Sequence, residues 1–580
     1  MAAEITVLTF NLWGIFNSKH RPERMAHFAS KVEDYDIILL QEQFSESDFD
    51  IIIQNMPEEV RRTRYFKRYP TAFYGSGIAV ISRFPVKSGV FFTFPLQGFP
   101  EQVLHGDYYA NKGAAMLCVS VPCNNDVEVS GGSVMHRDVL VYSTHLVAVY
   151  QVPSQLRDWR DEVYLAVRLS QAISFANFII ATSNPTDHII IGGDFNSELT
   201  SMEIRTMLIL LRGHGYCLRS VLPVAKRPEE GMSKHECIEN LARMTFSHEN
   251  KFTCTDGKII THGAYSPVQI DHIFISFNTL QLCSYEDCPG ADAKYPFKQI
   301  MDGQELPAGV VVFRRNDEVF LGSQSRPGSS PRGTAGVRPV PSGEQEAKEM
   351  SCPLSDHYGV AARLRLLTEE EKNGGSGKVS SRATASKLTE EDEASLCEAV
   401  SFLEHSVKRL KRESRKYIML SIVFAVIMML CIIYMVARPY LQMHPTRSTL
   451  KNIISLCHHN EHPNLKGIGD TSQQRGGTVR RIEQFLKDTF SLNLEGSRGK
   501  TQAVELREQD YEAVASVLHG AGLHNIFFPL VAVVASIMSF CCLVIALLNR
   551  KSYAKIISDQ ITELGNSFLR HEMHKGNGCK

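Results

Sequence analysis

The chain has 580 residues, 62 of them basic and 63 acidic, with a formal net charge of −1. That length excludes one small core and predicts two to four structural units. Balanced charge excludes a general affinity for nucleic acid, which needs a basic face.

The start, MAAEITVLTFNLWG, lacks a basic region ahead of a long apolar core and does not read as a secretory signal. Short apolar runs at 5–12, 36–40, 77–82, 114–121, 139–146, 188–192, 270–277 and 359–366 read as strands. Between them, 163–180 repeats apolar residues at helical spacing, at Val163, Val167, Ala172, Phe175 and Phe178. Interleaved strands and helices predict an α/β or α+β class with two or more packed layers, in a domain over 1–367. The Gly-, Pro-, Ser- and Arg-rich stretch 322–350 reads as a flexible insertion in that domain. The 14 cysteines show no paired metal-type spacing, so the thiols read as reduced, without a zinc site or disulfide framework.

A polar linker is expected over 368–393. A helix follows over 394–416, where Leu396, Val400, Leu403, Val407 and Leu410 repeat at 4-3-4-3 spacing. It reads as an amphipathic helix lying on another surface, with homodimerisation through 396–410 as the alternative. Two uncharged runs, 418–437 of 20 residues and 526–548 of 23, are long enough to cross a bilayer as helices. Lys408, Arg409, Lys411, Arg412, Arg415 and Lys416 precede the first run; Arg550, Lys551 and Lys555 follow the second. By the positive-inside tendency the N-terminal domain and both termini are cytosolic, 438–525 is a far-side loop segment, and 549–580 is a cytosolic tail.

Chemistry-bearing residues recur at strand ends: Asn11 in TFNLWG, Glu42 in ILLQEQ, His145 in VYSTHL, Asp194 and Asn196 in IIIGGDFN, Asp271 in VQIDHIF, and Asp356 and His357 in PLSDHYG. Singly, an Asn or Asp after a strand is a turn former and a His is a hydrogen-bonded core residue. Together they supply carboxylates for a hard cation, two imidazoles and amide donors. Phosphate-ester hydrolysis needs that set.

TFNLWG, LLQEQ, STHL, GGDFN, IDHIF and SDH occur here in the order found in the endonuclease/exonuclease/phosphatase superfamily, and the chain resembles it over 4–277 and 351–367. HGDYYANKGAAML and THLVAVYQ, with the two apolar runs, resemble the neutral sphingomyelinases and inositol phosphosphingolipid phospholipases C within it. The resemblance implies a DNase I-like four-layered sandwich of two packed sheets, followed by a two-helix transmembrane hairpin. It implies a Mg²⁺-dependent phospholipase C that cuts sphingomyelin or inositol phosphorylceramide to ceramide and a phosphorylated head group, with Mn²⁺ as a substitute. Glu42 would ligate the metal, with Asn11 beside it. Asp194 and Asn196 would contact the phosphate and orient water. His357 would be the general base, oriented by Asp271 or Asp356. His145 would stabilise phosphate charge or protonate the ceramide oxygen, and Lys112 would contact phosphate.

The rival of the same superfamily is a phosphoinositide or inositol-polyphosphate phosphatase. Those carry W-C-D-R where this chain has Ile270-Asp271-His272-Ile273. A nuclease is disfavoured by charge and by the apolar runs. A rival of another class is an inactive membrane scaffold. Anionic phospholipid is an expected activator through the basic run 408–416. The aromatic cluster Phe91, Phe92, Phe94, Phe99, Tyr108 and Tyr109 suggests a lip at the bilayer interface.

Overall fold

A computed structural model describes residues 3–71, 74–123, 135–151, 156, 158–224, 243–246, 250, 254–255, 258–259, 268–283, 310–312, 318–320, 351–368, 371, 388–459 and 508–577. The chain forms two compact units, 1–412 with 549–580, and 413–548.

The first unit holds two mixed sheets. The strands of these two sheets are β1 (Glu4–Asn11), β2 (Ile37–Gln41), β3 (Tyr65–Arg68), β4 (Ala79–Ser82), β5 (Val86–Thr93), β6 (Gly113–Cys123), β7 (Met135–His145), β8 (His188–Asp194), β9 (Leu218–Ser220), β10 (Asp271–Ser276), β11 (Leu280–Leu282), β12 (Val310–Val312) and β13 (Val360–Leu366). One sheet runs β11-β13-β1-β2-β4-β3, with β12 also on β13; the other runs β5-β6-β7-β8-β10-β9. Strand alternation explains how they stack. Ile5, Val7, Ile37 and Leu39 face a core shared with Val139, Val141, Ile190 and Ile273 of the other sheet. Leu8, Phe10, Ile38 and Leu40 face outward onto helices α1 (Arg21–Phe28) and α2 (Glu46–Asn55). Ile189 and Ile191 face outward onto α3 (Leu165–Thr182) and α4 (Met202–Gly213). Both sheet faces are covered, so the central strands read as unbroken apolar runs. The result is the expected helix-sheet-sheet-helix sandwich.

Register sets the site. Among the described residues, the only parallel pair of each sheet is central: β1 with β2, and β7 with β8. Asn11, Gln41, His145 and Asp194 therefore end side by side, with His145 opposite Asp194. β13 runs antiparallel to β1, and β10 antiparallel to β8 with Asp271 opposite Asp194. The start of each returning strand thus lands at the same edge.

Two expected boundaries are corrected, and the amphipathic helix has its surface within the chain. The helix α5 (Glu390–His459) begins inside the expected linker. Thr389 and Asp392 cap it reciprocally, each backbone N–H donating to the other's side chain at 2.9 and 3.1 Å. The rest of that linker lies outside the described residues, as does the insertion 322–350. Leu396, Leu403, Val407 and Leu410 are buried against α3 and α4 in the core of the first unit. The seam expected to allow homodimerisation is therefore filled by the chain itself. The expected tail is not a tail: α7 (Ser552–Asn577) buries Tyr553, Ala554, Ile557 and Leu564 in that same core.

In the second unit, α5 and α6 (Glu508–Val544) carry the two apolar runs. Both are long and apolar enough to cross a membrane, with mean hydropathy 2.8 and only 11% and 22% of their apolar windows buried. A third such helix, Leu165–Thr182, is 72% buried and belongs to the core. Ser414 Oγ donates to Ala546 O at 2.9 Å, and Ser421 and Ser539 each donate to the other's carbonyl at 2.9 Å. The rings of Tyr434 and Phe528 lie 4.2 Å apart. Contact order is reversed between the two segments, so they pack antiparallel. Positions 439–459 and 508–525 of the expected far-side loop segment are helical; 460–507 lie outside the described residues.

Candidate active site

Asp194 is the hub. It is buried at the end of β8, and its Oδ2 accepts from Asn11 Nδ2 at 2.9 Å. His145 Nε2 lies 3.5 Å from the same oxygen and His357 Nε2 3.8 Å. Burial raises the Asp194 carboxyl, but His357, His145 and the Asn11 amide outweigh it and hold it below its usual range. Asn11 Nδ2 also donates to Glu42 Oε1 at 3.2 Å, so one amide bridges two carboxylates. Glu42 and Asn196 hold left-handed backbone, φ 62° and 48°. For residues other than glycine that conformation is strained, and such strain gathers at functional sites. Asn196 N donates to Asp194 Oδ1 and its Nδ2 to Leu146 O, both at 2.9 Å.

His357 Nδ1 lies 2.9 Å from Asp271 Oδ2. Asp271, and not Asp356, orients the imidazole. Burial opposes charge on His357, but Asp271 and Asp194 outweigh it and hold its pKa well above the ordinary value. Nε2 is 3.8 Å from Asp194, too far for a direct hydrogen bond, and is the atom left for proton transfer.

Lys112 and His145 form the opposite wall. The Lys112 ammonium reaches Asp107 Oδ1 at 2.7 Å, Leu146 O at 2.8 Å and His145 Nε2 at 3.0 Å. An ammonium has three hydrogens, and all three are committed. Lys112 therefore positions His145 in this arrangement, and does not present a free donor to phosphate. Burial and the Lys112 charge push the His145 pKa down to about 3. Because lysine can only donate, His145 Nε2 accepts and the neutral ring carries its proton on Nδ1. That buried Nδ1 has no hydrogen-bond partner among the described residues, which leaves it free to donate.

The donor set fits a divalent cation. Glu42 Oε2 and Asp271 Oδ1 are buried without a hydrogen-bond partner among the described residues. Burial, then repulsion from Asp356, pushes the Glu42 carboxyl up to about 7. Two crowded carboxylates with an orphan oxygen are what a hard cation relieves. Asp194, Asp271 and His357 also bring ligand atoms within 4.8 Å of one another. Glu42, with Asp356 beside it, offers a second carboxylate position for such an ion.

Two contributors escaped the sequence reading. Asp107 is the buried counter-charge Lys112 requires; its signal was the HGD triplet five residues upstream of the lysine. Arg24, 1% exposed, donates to Leu12 O, Trp13 O and Leu354 O at 2.6 to 2.9 Å. It ties the segment after Asn11 to the one before Asp356. Of the six aromatic residues, Phe94 and Phe99 are 1% and 4% exposed and belong to the core, whereas Tyr108 is 36% exposed.

Residues 8–294 match the model of the endonuclease/exonuclease/phosphatase family. Over 204 residues the chain is 34% identical to the inositol phosphosphingolipids phospholipase C of Schizosaccharomyces pombe, covering 35% of this chain and 43% of that protein. Over 195 residues it is 30% identical to human sphingomyelin phosphodiesterase 2, covering 33% and 41%. The matched stretches thus span less than half the length of either relative. The sphingomyelinase C structure from Streptomyces griseocarneus aligns with 63% of this chain and all of its own, at 16% identity and a TM-score of 0.33. Residues 8–294 thus carry an endonuclease/exonuclease/phosphatase domain.

Proposed function

We propose that the protein is a Mg²⁺-dependent phospholipase C acting on a ceramide phosphodiester, sphingomyelin or inositol phosphorylceramide. The observation that carries the reading is the placement of a His357–Asp271 pair and a neutral His145 on either side of Asp194. The named activities of the two relatives supply the substrate class. The reading includes two membrane-crossing helices with the first unit on the cytosolic side, and activation by anionic phospholipid.

His357 Nε2, unprotonated, takes a proton from water while the water oxygen bonds to phosphorus. Asp194 and Asn196 hold that water and the phosphate. The phosphorus–oxygen bond to ceramide breaks, the ceramide oxygen takes a proton from solvent, and His357 returns the proton it gathered to solvent. His145 Nδ1–H donates a hydrogen bond to the oxygen on which charge grows. A divalent cation at Glu42 and Asp356, when bound, supplies positive charge against the phosphate oxygens.

The test is product analysis by mass spectrometry on vesicles holding both lipids with Mg²⁺. Ceramide from the native chain supports the reading, and the released head group names the substrate. Free phosphate instead identifies the inositide phosphatase.

Glu42→Gln keeps the Asn11 contact but removes the charge. It should weaken Mg²⁺ binding by about tenfold or more, read by calorimetry and by the Mg²⁺ dependence of the rate. Equal affinity would remove Glu42 from the metal site. The pH profile has a defined sign. A base must be unprotonated, so the rate rises as pH climbs through the His357 pKa. Asp271 raises that pKa, so Asp271→Asn should move the acidic limb to lower pH while lowering the plateau. A limb that stayed in place would detach Asp271 from His357.

A further inference from the structure

We infer that the turn Val103–His105 is an aliphatic lip that enters the interfacial zone of the membrane leaflet holding the substrate. The inference rests on the lipid-phosphodiesterase reading above. Leu104 is 100% exposed and Val103 63%, while Tyr108 and Val149 are each 36% exposed. They form one patch. The His105 ring stacks on Tyr150 with centroids 3.9 Å apart, and Tyr150 Oη donates to His105 O at 2.5 Å. The patch borders the site: Asp107, the partner of Lys112, lies three residues beyond Leu104 and accepts from Ala148 N at 3.4 Å.

The lip is held on a braced segment. Gln102 N donates to Phe99 O at 3.1 Å, His105 N to Gln102 O at 3.0 Å, and Tyr109 Oη to Pro100 O at 2.9 Å. From the C-terminal segment, Asn549 Nδ2 donates to Gly98 O at 3.3 Å, and Tyr553 Oη accepts from Gln97 N at 2.8 Å. Arg550 pairs with Glu101 and lies 4.0 Å over the Phe99 ring. A single exposed leucine needs no explanation, but an aliphatic pair fixed outward on a braced turn does. A bilayer is the occupant argued for because of chain continuity. Asn549 directly follows Leu548, the last residue of the uncharged run 526–548. The peptide bond after that run therefore ties this segment to the end of an apolar helix. Charge on the lip would oppose burial in lipid, whereas the aliphatic side chains favour it.

The experiment uses the full chain, reconstituted into sphingomyelin–phosphatidylcholine vesicles and, separately, held in detergent–sphingomyelin micelles. Leu104→Asp should lower the vesicle rate by about tenfold, one full unit of burial energy for such a side chain. The micelle rate should stay within about twofold, since a micelle delivers substrate without an ordered interface. Leu104→Trp should add emission, above that of the two native tryptophans, that is quenched by acyl-brominated phosphatidylcholine. An unchanged vesicle-to-micelle ratio for Leu104→Asp, or unquenched emission from Leu104→Trp, overturns the lip. If the parent releases no ceramide in either system, the phosphodiesterase reading falls, and bromolipid quenching alone still decides where the turn sits.

Discussion

His357→Ala should lower kcat by roughly 10²–10⁴-fold, the range a positioned general base supplies. The substituted protein should still bind lipid and still unfold cooperatively. The expectation rests on three facts: His357 is 8% exposed, its Nδ1 is held by Asp271 at 2.9 Å, and its Nε2 is the free nitrogen facing Asp194. Loss of the ring also leaves the buried Asp271 carboxylate without its partner, which the site relieves by protonating Asp271. Asp271 acts only through His357, so the two losses should not add. Asp271→Asn in the His357→Ala background should therefore cost nothing further, although alone it is harmful. Steady-state rates of the two single variants and the double variant measure this. A folded His357→Ala protein with more than about a tenth of the parental kcat would remove His357 as the base.

The site was legible in sequence because a central strand ends where its apolar run ends. Asn11, His145 and Asp194 close such a strand and Glu42 follows one, and parallel pairing at the centre of each sheet aligns those ends. What sequence does not carry is the antiparallel return that brings Asp271 opposite Asp194, and so the choice of Asp271 over Asp356 as partner of His357. Tyr65–Arg68 and Val86–Thr93 were missed because both lie at sheet edges and are largely exposed, so they show no apolar run. Lys112 read as a phosphate donor because its three acceptors come from Asp107, His145 and Leu146, which only the fold assembles. The C-terminal segment was misread for another reason. Tyr553, Ile557, Ile561 and Leu564 do carry a helical apolar stripe, but Arg550, Lys551 and Lys555 suggested a solvated flank.

Ile557→Ala should destabilise the first unit by about 2–5 kcal/mol, the usual cost of truncating a fully buried aliphatic side chain. Ile557 is 0% exposed and packs in the cluster that includes Phe94, Phe175 and Leu403. In a domain of this size each kcal/mol is worth about 2–4 °C, so Tm should fall by roughly 4–20 °C. Removal of 549–580 should do more. It would expose the face of Leu165–Thr182 now covered, strip Gln560 from Ser170 O and Ser174 Oγ, and leave Glu101 without Arg550. The cluster also takes Leu396, Leu403 and Leu410 from the preceding helix, so the core of the first unit draws on both sides of 413–548 in sequence. Such contacts close late, because the chain between them must first be made and ordered. A chain cut after Leu548 should therefore fail to give a folded, active catalytic unit. Lys555→Ala, on the exposed side of the same helix, is the control and should leave Tm within about 1 °C. Thermal unfolding of the full chain in detergent, followed by tryptophan emission, separates the cases. If Ile557→Ala melted with Lys555→Ala, or the cut chain kept its activity, the segment would be an accessory and not part of the core. A loss confined to Ile557→Ala and the cut chain would make the last stretch of sequence a structural part of a site whose named residues all lie before position 358.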